Sequence, residues 1–264
     1  AAVLSHFEFL AQTVWPQLQV HLTNVTDQWG GFALAGPQAR DVLGAVCEQD
    51  VSHGALDFMA SIEATIAGVA GRIFRITFSG ELGYEVHVPA DHLQAVWRAV
   101  LEAGRAFDLQ PYGTEAMGVM RIEKGHVVHA ELDGRAIPSD FGFDRMIRKS
   151  GDFIGRQALQ REAFAREHRP SLVGLVSDNG KPIAAGSHLV WNPSLPTPMH
   201  TYGHVSSSCY SPTLDAYIAL ALVHQAELWQ GKLLYAAAPM QRVYTPVRIV
   251  APVFVDQQGQ RARG

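Results

Sequence analysis

The sequence contains few cysteines, no excess of basic residues and no long hydrophobic run. Cys47 and Cys209 are the only cysteines among its 264 residues, and they form no CxxC pair. We therefore expect two inert thiols in a reducing compartment rather than a disulfide scaffold. The 21 lysines and arginines face 25 aspartates and glutamates, which leaves no basic patch for a nucleic-acid backbone or an anionic membrane. The longest apolar stretches, such as residues 217–223, are shorter than the ~20 residues that span a bilayer, so the sequence predicts a cytoplasmic protein that contacts neither nucleic acid nor membrane.

Several motifs of catalytic and metal sites are also missing. The sequence has no GxGxxG turn, no GxxxxGKS/T phosphate loop, no HExxH pair and no GxSxG turn, so we expect no dinucleotide or P-loop site in this chain. His126 with His129, and His200 with His204, have spacings that two metal ligands tolerate, but neither pair has a third ligand nearby in sequence. We therefore predict no metal site. The hydroxyl-rich run 206–212 lacks a neighbouring base and is typical of a turn at a strand end.

The first part of the chain mixes short strands with amphipathic helices. Period-two runs predict strands at residues 20–25, 31–36, 61–68, 72–78 and 84–88. The spacing of apolar residues predicts helices at residues 5–14, 37–46, 93–104, 114–124 and 156–166. Pro16 should end the first of these helices, and Asp91 should cap the third. The last three strands follow one another through short connections, which predicts an antiparallel sheet.

After Arg169 and Pro170 the pattern changes to short strands between Pro, Gly and Asn turns. These strands are predicted at residues 171–176, 183–191, 203–208, 217–223, 232–237 and 242–250. Six strands with almost no helix are typical of a small β-barrel or sandwich. We therefore expect an α+β protein in which a domain of antiparallel sheet and packed helices, residues 1–167, precedes a C-terminal β-barrel domain, residues 168–264.

The segment 78–88 carries two carboxylates around a glycine turn. Glu81 lies in the turn, and in the strand that follows Tyr84 shares one face with two valines while Glu85 shares the other face with His87. A carboxylate has two acceptor oxygens and can take a parallel pair of N–H donors, as presented by a guanidinium or by the edge of a pterin ring. The pattern alone favours simple solvent exposure for Glu85 and a turn role for Glu81.

Four segments together resemble the aminomethyltransferase (glycine-cleavage T-protein) superfamily. They are Ser-Gly-Glu-Leu-Gly-Tyr-Glu-Val at 79–86, Pro-Tyr-Gly-Thr-Glu-Ala-Met at 111–117, Arg-Ile-Glu-Lys-Gly at 121–125 and Asp-Phe-Ile-Gly-Arg at 152–156. Within the superfamily the chain is most similar to the C-terminal region of the sarcosine oxidase α subunits. The resemblance implies a folate-binding module followed by a β-barrel. It also implies that tetrahydrofolate captures a one-carbon unit from an N-methyl amine such as sarcosine, as 5,10-methylenetetrahydrofolate.

The resemblance also implies roles for individual residues. The glutamate of the family's Gly-aromatic-Glu motif holds the pterin ring, and the matching residue here is Glu85. Tyr84 occupies the aromatic position beside it and either lines the same cavity or belongs to the core. Arg121 and Glu123 are two residues apart on one helix and do not face each other, so we interpret them as structural anchors. Arg121 is in addition a candidate to bind the glutamate tail of the folate.

The sequence departs from the family pattern at two places. Met117 stands where the T-proteins carry an arginine that contacts folate, and this departure favours the sarcosine oxidase branch. The family's catalytic aspartate lies upstream of the segment that begins this chain, and nothing before Val20 matches it, so no catalytic residue is assigned. The chain also begins without methionine. We expect either a fragment of a longer subunit or a partial module, with flavin and NAD bound by missing regions or by a flavin-bearing partner subunit.

Two alternatives to an enzyme component stay open at this point. One is a non-catalytic folate-binding assembly protein, similar to T-protein relatives that support iron–sulfur cluster maturation. Those relatives carry a Lys-Gly-Cys motif, and the corresponding stretch 149–157 has no cysteine, which disfavours this branch. The other is a purely structural subunit, which the absent catalytic segment allows. The sequence does not identify the amine donor or the oligomeric state.

Overall fold

The computed structural model describes residues 2–165, 168–196 and 198–264, which form two compact units. The first unit comprises Ala1–Thr77 and Leu82–Gln110, and the second comprises Phe78–Glu81 and Pro111–Gly264. The division by contacts falls after Gln110, and the domain boundary expected near residue 167 stays a prediction. The mixed helix and sheet architecture with a closed C-terminal barrel confirms the expected fold class.

The first unit is built on a four-stranded antiparallel sheet with strand order β1-β4-β3-β2. Its helices and strands are α1 (Ala2–Phe9), β1 (Trp29–Ala35), α2 (Ala39–Gly44), β2 (Ser61–Ile66), β3 (Val69–Phe74), β4 (Gly83–Pro89) and α3 (Leu93–Gly104). A two-residue turn at Ala67 and Gly68, both with positive φ, joins β2 to β3. β4 pairs with both β1 and β3, so that it lies inside the sheet.

The alternation along β4 separates a buried face from an open one. Tyr84, Val86 and Val88 are fully buried. They belong to one core cluster with Leu43 of α2 and Val96 of α3, so the two helices and this sheet face share a hydrophobic core. The residues between them in β4 point to the opposite face, as the period of two requires. The predicted division of this strand into a core face and a polar face is confirmed.

Two predictions for the first unit are wrong, and a third needs adjustment. Residues 20–25 form no strand; the whole run is exposed and pairs with no other strand, and an unpaired run has no ladder to hold it extended. Asp91 does not cap α3, because a short 3-10 helix, Ala90–His92, precedes that helix and places His92 at its N-cap. The predicted N-terminal helix begins as α1 and continues as a π-helical segment, Leu10–Val14, that buries no residue.

The second unit combines one long helix, an irregular segment and the barrel. Its elements are α4 (Thr114–Glu123), α5 (Arg156–Leu159), α6 (Glu162–Ala165), β5 (Pro170–Ser177), β6 (His188–Val190), β7 (Gly203–Ser211), β8 (Ala216–His224), β9 (Leu233–Ala238), β10 (Val243–Val250) and α7 (Gln260–Arg263). The six strands close in the order β10-β5-β8-β7-β6-β9. The barrel prediction is confirmed.

Strand β8 is buried on both faces. Ala219, Ala221 and Val223 belong to the cluster that fills the barrel. Ile218 and Leu220 point outward and pack with Ile122 of α4. This double burial explains why residues 217–223 read as a continuous apolar run rather than an alternating one.

Two predicted elements of the second unit are shorter in the structure. Of the strand expected at 183–191 only β6 has strand conformation, because a turn at residues 185–186 precedes it; Gly186 and Ser187 still form backbone hydrogen bonds with Val205 of β7. The helix expected at 156–166 is divided into α5 and α6 at Gln160 and Arg161, and residue 166 lies outside the described residues. Among the described residues there is also no helix whose length and apolarity would let it cross a membrane.

Candidate functional site

The outer face of the first unit's sheet brings side chains of three strands, β1, β4 and β3, into register around Glu85. The cross-strand pairs place Ala33 of β1 and Phe74 of β3 beside Glu85. One step along β4, Gly31 and Arg72 lie beside His87 in the same way. Because directly paired residues point to the same side of a sheet, these six side-chain positions form one surface.

Glu85 and His87 form a half-exposed pair on this surface. His87 Nε2 lies 3.3 Å from Glu85 Oε2, and the two side chains retain 36% and 42% of their exposure. The imidazole meets the Phe74 ring edge-on at 5.3 Å between centroids. On the β1 side, a Cβ at Gly31 would lie 2.7 Å from His87 Nδ1, so any residue larger than glycine would clash with the imidazole in this position.

A recess of about 500 Å³ opens above Glu85. Thr26, Trp29, Gly31, Phe32, Ala33, Glu85 and His87 line it. Its volume falls within the roughly 300–1,000 Å³ typical of small-molecule sites. The Arg72 guanidinium stacks over the Trp29 ring at 5.0 Å and pairs with Glu63 at 3.7 Å, which holds the indole at the edge of the recess. A carboxylate in a recess that an indole also lines suits a planar ring that carries a pair of N–H donors.

Tyr84 and Glu85 are neighbours in sequence but face opposite sides of the sheet. Tyr84 is fully buried, and its hydroxyl accepts a hydrogen bond of 3.0 Å from Arg40 Nε. Of the two roles left open for Tyr84, the structure shows packing in the core, and the residue does not line the recess.

Arg121 lies in the second unit and is engaged by internal partners. Its Nη1 contacts Glu131 Oε2 at 3.2 Å and the His126 carbonyl at 3.3 Å, and its Nη2 donates to Ser207 Oγ at 2.7 Å. Ser207 in turn donates to Glu131 Oε1 at 2.6 Å, and Glu131 is fully buried. Burial alone raises the pKa of the Glu131 carboxyl, but hydrogen bonds from Ser207 and the Val128 N–H outweigh it, so this pKa lies below its ordinary value. These contacts are those of the structural anchor that the sequence predicted, and a role in binding a folate tail stays a prediction.

Residues 206–211 of the serine run belong to strand β7, and Pro212 begins the turn that follows the strand. A bulge between Val205 and Ser207 adds one residue, so that Ser207 pairs with Leu220 and points toward α4, where Arg121 lies. Ser206, the extra residue, donates its hydroxyl to the Leu220 carbonyl at 3.0 Å. The sequence offered no sign of this, because the bulge is set by pairing with a distant strand.

A second polar cluster ties the end of α4 to the C-terminal segment. Lys124 Nζ donates to the Asp256 carboxylate at 2.9 Å and to its carbonyl at 2.6 Å. Arg261 Nη1 donates to Glu81 Oε1 at 2.7 Å. Burial raises the pKa of Asp256, but hydrogen bonds from Lys124 and two backbone N–H groups hold it below its usual range. Glu81 is thus an ion-pair partner in the second unit, in the turn where the sequence placed it.

The histidines and the two cysteines are the other candidates for metal binding or nucleophilic chemistry. Across residues 2–165, 168–196 and 198–264, no three His, Cys, Asp or Glu side chains are grouped to hold a metal ion. Burial raises the pKa of Cys209 to about 11 and also raises that of Cys47, so both thiols are poor nucleophiles at neutral pH. Burial lowers the pKa of His204, which keeps this imidazole neutral.

Comparison with known proteins relates both parts of the chain to one family. The profile of the GCVT N-terminal domain matches residues 2–151, and that of the glycine cleavage T-protein C-terminal barrel domain matches residues 171–256. The chain is 42% identical to the sarcosine oxidase subunit alpha of Rhizobium meliloti over 99% of its own length and 27% of that protein. It is 29% identical to an aminomethyltransferase of Streptomyces avermitilis over 91% of its own length and 67% of that protein.

A solved structure shows the same fold. The crystal structure of the glycine cleavage system aminomethyltransferase T from Bartonella henselae superposes with a TM-score of 0.66 at 23% identity, over 87% of this chain and 60% of that one. The chain spans about a quarter of the length of the sarcosine oxidase subunits that it matches, at 27% and 28%.

Proposed function

Because the chain belongs to the glycine cleavage T-protein (GCVT) family, we propose that it is a tetrahydrofolate-binding, one-carbon transfer module of a sarcosine oxidase α subunit. The module captures the one-carbon unit released by oxidative demethylation of sarcosine, or of a similar N-methyl amine, as 5,10-methylenetetrahydrofolate. The identity to sarcosine oxidase α subunits along the whole chain supports this branch over the other members of the family. Flavin and NAD belong, in this proposal, to other regions of the protein or to a flavin-bearing partner subunit.

The observation that carries the proposal is the placement of Glu85. Its carboxylate lines the same recess as the Trp29 indole, and His87 contacts only one of its two oxygens. Within the described part of the chain, Oε1 has no hydrogen-bond partner. A pterin edge presents an amide N–H beside an amino group, and a carboxylate with a spare oxygen is the matching acceptor. The residues present therefore fit the pterin of a folate.

The chain's own residues bind and orient in this proposal. Glu85 accepts hydrogen bonds from the pterin edge, and the Trp29 indole at the edge of the recess offers a flat apolar surface to the ring. Orientation and proximity contribute part of the rate of one-carbon transfer without any proton transfer from the protein. No residue of this chain is assigned as a catalytic acid or base.

Calorimetric titration with tetrahydrofolate under anaerobic conditions tests the proposal. We expect Glu85→Ala to weaken binding at least about tenfold, roughly 1.4 kcal/mol. Glu102→Ala is the matched control, because Glu102 is an exposed carboxylate of the same unit that pairs with Arg105 and does not line the recess. The affinity of this control variant for tetrahydrofolate should stay within twofold of that of the parent.

Two results would contradict parts of the proposal. Equal affinity in the parent and in Glu85→Ala would exclude the recess as the pterin site. Binding that depends on Glu85, but no formation of methylenetetrahydrofolate from formaldehyde and tetrahydrofolate, would favour the alternative of a non-catalytic folate-binding or structural subunit.

A further inference from the structure

His87 is the polar side chain that contacts Glu85 in the recess. On the basis of the proposed function, we propose that His87 is a positioning residue, which holds the Glu85 carboxylate in the orientation that binds the pterin. The contact between Nε2 and Glu85 Oε2 spans 3.3 Å. The two residues are two apart on β4 and share its outer face, so the strand itself sets their separation.

The imidazole is confined by the strands on both sides of β4. Phe74 of β3 meets the ring at an interplanar angle of 82°. Gly31 of β1 lies so close that a Cβ there would come within 2.7 Å of Nδ1 and 2.9 Å of Cε1. A ring held between an aromatic edge and bare backbone has little freedom to rotate, so Nε2 stays directed at Glu85.

The surroundings of His87 favour one tautomer of its imidazole. Nδ1 faces the α-carbon of Gly31, so Nε2 is the nitrogen that can donate to the Glu85 carboxylate. On β3 the charged neighbour is Arg72, which is opposite His87 and is itself paired with Glu63 of β2. On β1 the residue opposite is glycine and brings no charge. Glu85 is therefore the acceptor available to His87 on this face.

Fixing the carboxylate matters because Glu85 is half-exposed. A glutamate side chain that is free in solvent loses rotamer freedom when a ligand binds, and this loss reduces the affinity. His87 orders the side chain beforehand and occupies Oε2, which leaves Oε1 directed to the ligand. The pair thus acts as a pre-ordered acceptor.

Four variants separate this role from a structural one, with the dissociation constant for tetrahydrofolate as the readout. His87→Ala should weaken binding about fivefold, the effect of one lost hydrogen bond. His87→Gln places an amide N–H near the position of Nε2 and should restore affinity to within twofold. Gly31→Ala should weaken binding as His87→Ala does, because its Cβ displaces the ring. His92→Ala is the matched control, since His92 lies 3.9 Å from Asp91 on an exposed surface.

The outcomes distinguish this proposal from the assignment of the pterin site. If Glu85→Ala weakens tetrahydrofolate binding but His87→Ala and Gly31→Ala do not, the positioning role is overturned and the assignment of the pterin site stands. If His87→Gln binds tetrahydrofolate as weakly as His87→Ala does, the positioning role is also overturned, because the loss of an N–H donor would then not explain the loss of affinity. Absence of tetrahydrofolate binding in the parent, or no effect of Glu85→Ala, would overturn both. Thermal unfolding of each variant establishes that it is folded.

Discussion

The outer face of the first sheet and the Arg121 cluster of the second unit use the same kinds of side chain in opposite ways. In the second unit Arg121, Glu131 and Ser207 satisfy one another, and Glu131 is fully buried. On the sheet, Glu85 shares one oxygen with His87 and remains half-exposed. A saturated buried cluster stabilises the fold, whereas a carboxylate with a spare acceptor is available to a ligand. An anchor and a candidate site therefore differ in how deeply the carboxylate is buried and in how many of its hydrogen-bonding positions are filled, rather than in residue type.

Removing Glu131 should have the largest effect. Glu131→Ala leaves the Arg121 guanidinium buried without its ionic partner, and we expect it to lower the free energy of unfolding by about 3–5 kcal/mol. Chemical denaturation measures this change. Glu115, an exposed carboxylate on the helix that carries Arg121, provides the control, and Glu115→Ala should change stability by less than about 0.5 kcal/mol. A loss below about 1 kcal/mol in Glu131→Ala would mean that the cluster is not an anchor.

The two units should also differ in their tolerance of a methyl group at glycine. Gly125 has a φ of +73°, and a Cβ there would lie 2.5 Å from the Pro252 carbonyl oxygen, so Gly125→Ala should cost about 2 kcal/mol or more of stability. Gly31 has no positive φ, and a Cβ there would lie 2.7 Å from His87 Nδ1 and 3.2 Å from the Val86 carbonyl oxygen, so Gly31→Ala should cost less, about 1 kcal/mol. Thermal or urea unfolding of both variants tests the contrast. Equal losses would show that the outer face is packed as tightly as the helix end.

The smallest expected effect is a pH dependence of stability from Glu131. Its pKa is lower in the folded chain than the ordinary 4.5, so its stabilisation is complete at neutral pH and is lost as the pH falls below that value. At pH 4 the loss should be less than about 1 kcal/mol. Glu131→Gln, which has no titrating carboxyl at this position, should lose correspondingly less on acidification. Unfolding free energies of both proteins at pH 7 and pH 4 measure the difference, and parallel losses would contradict the assignment.

The local part of the candidate site could be predicted from the sequence. The alternation of Tyr84, Glu85 and His87 assigned each side chain to its face of β4, because a period of two depends only on neighbouring residues. The six barrel strands were predictable for the same reason. The pairing of Gly31 with His87 was not, since it joins strands more than fifty residues apart and depends on sheet order.

The errors have related physical causes. Residues 20–25 alternate like a strand, yet a strand forms only where a partner strand is present to complete its hydrogen bonds. Ser207 was assigned to a turn because its role depends on a bulge and on the distant residues Arg121 and Glu131. Local propensity contains neither kind of information.

The double burial of β8 implies that side-chain volume sets its register. In most sheets a slip of one residue is prevented because it would bring polar groups into the core. In β8 both faces are apolar, so such a slip would leave polarity almost unchanged. It would instead push Ile218 and Leu220 into the barrel, in place of alanines, and leave empty space against Ile122 of α4. Overfilling on one side and a void on the other are both destabilising, so the alternation of small and large residues aligns this strand.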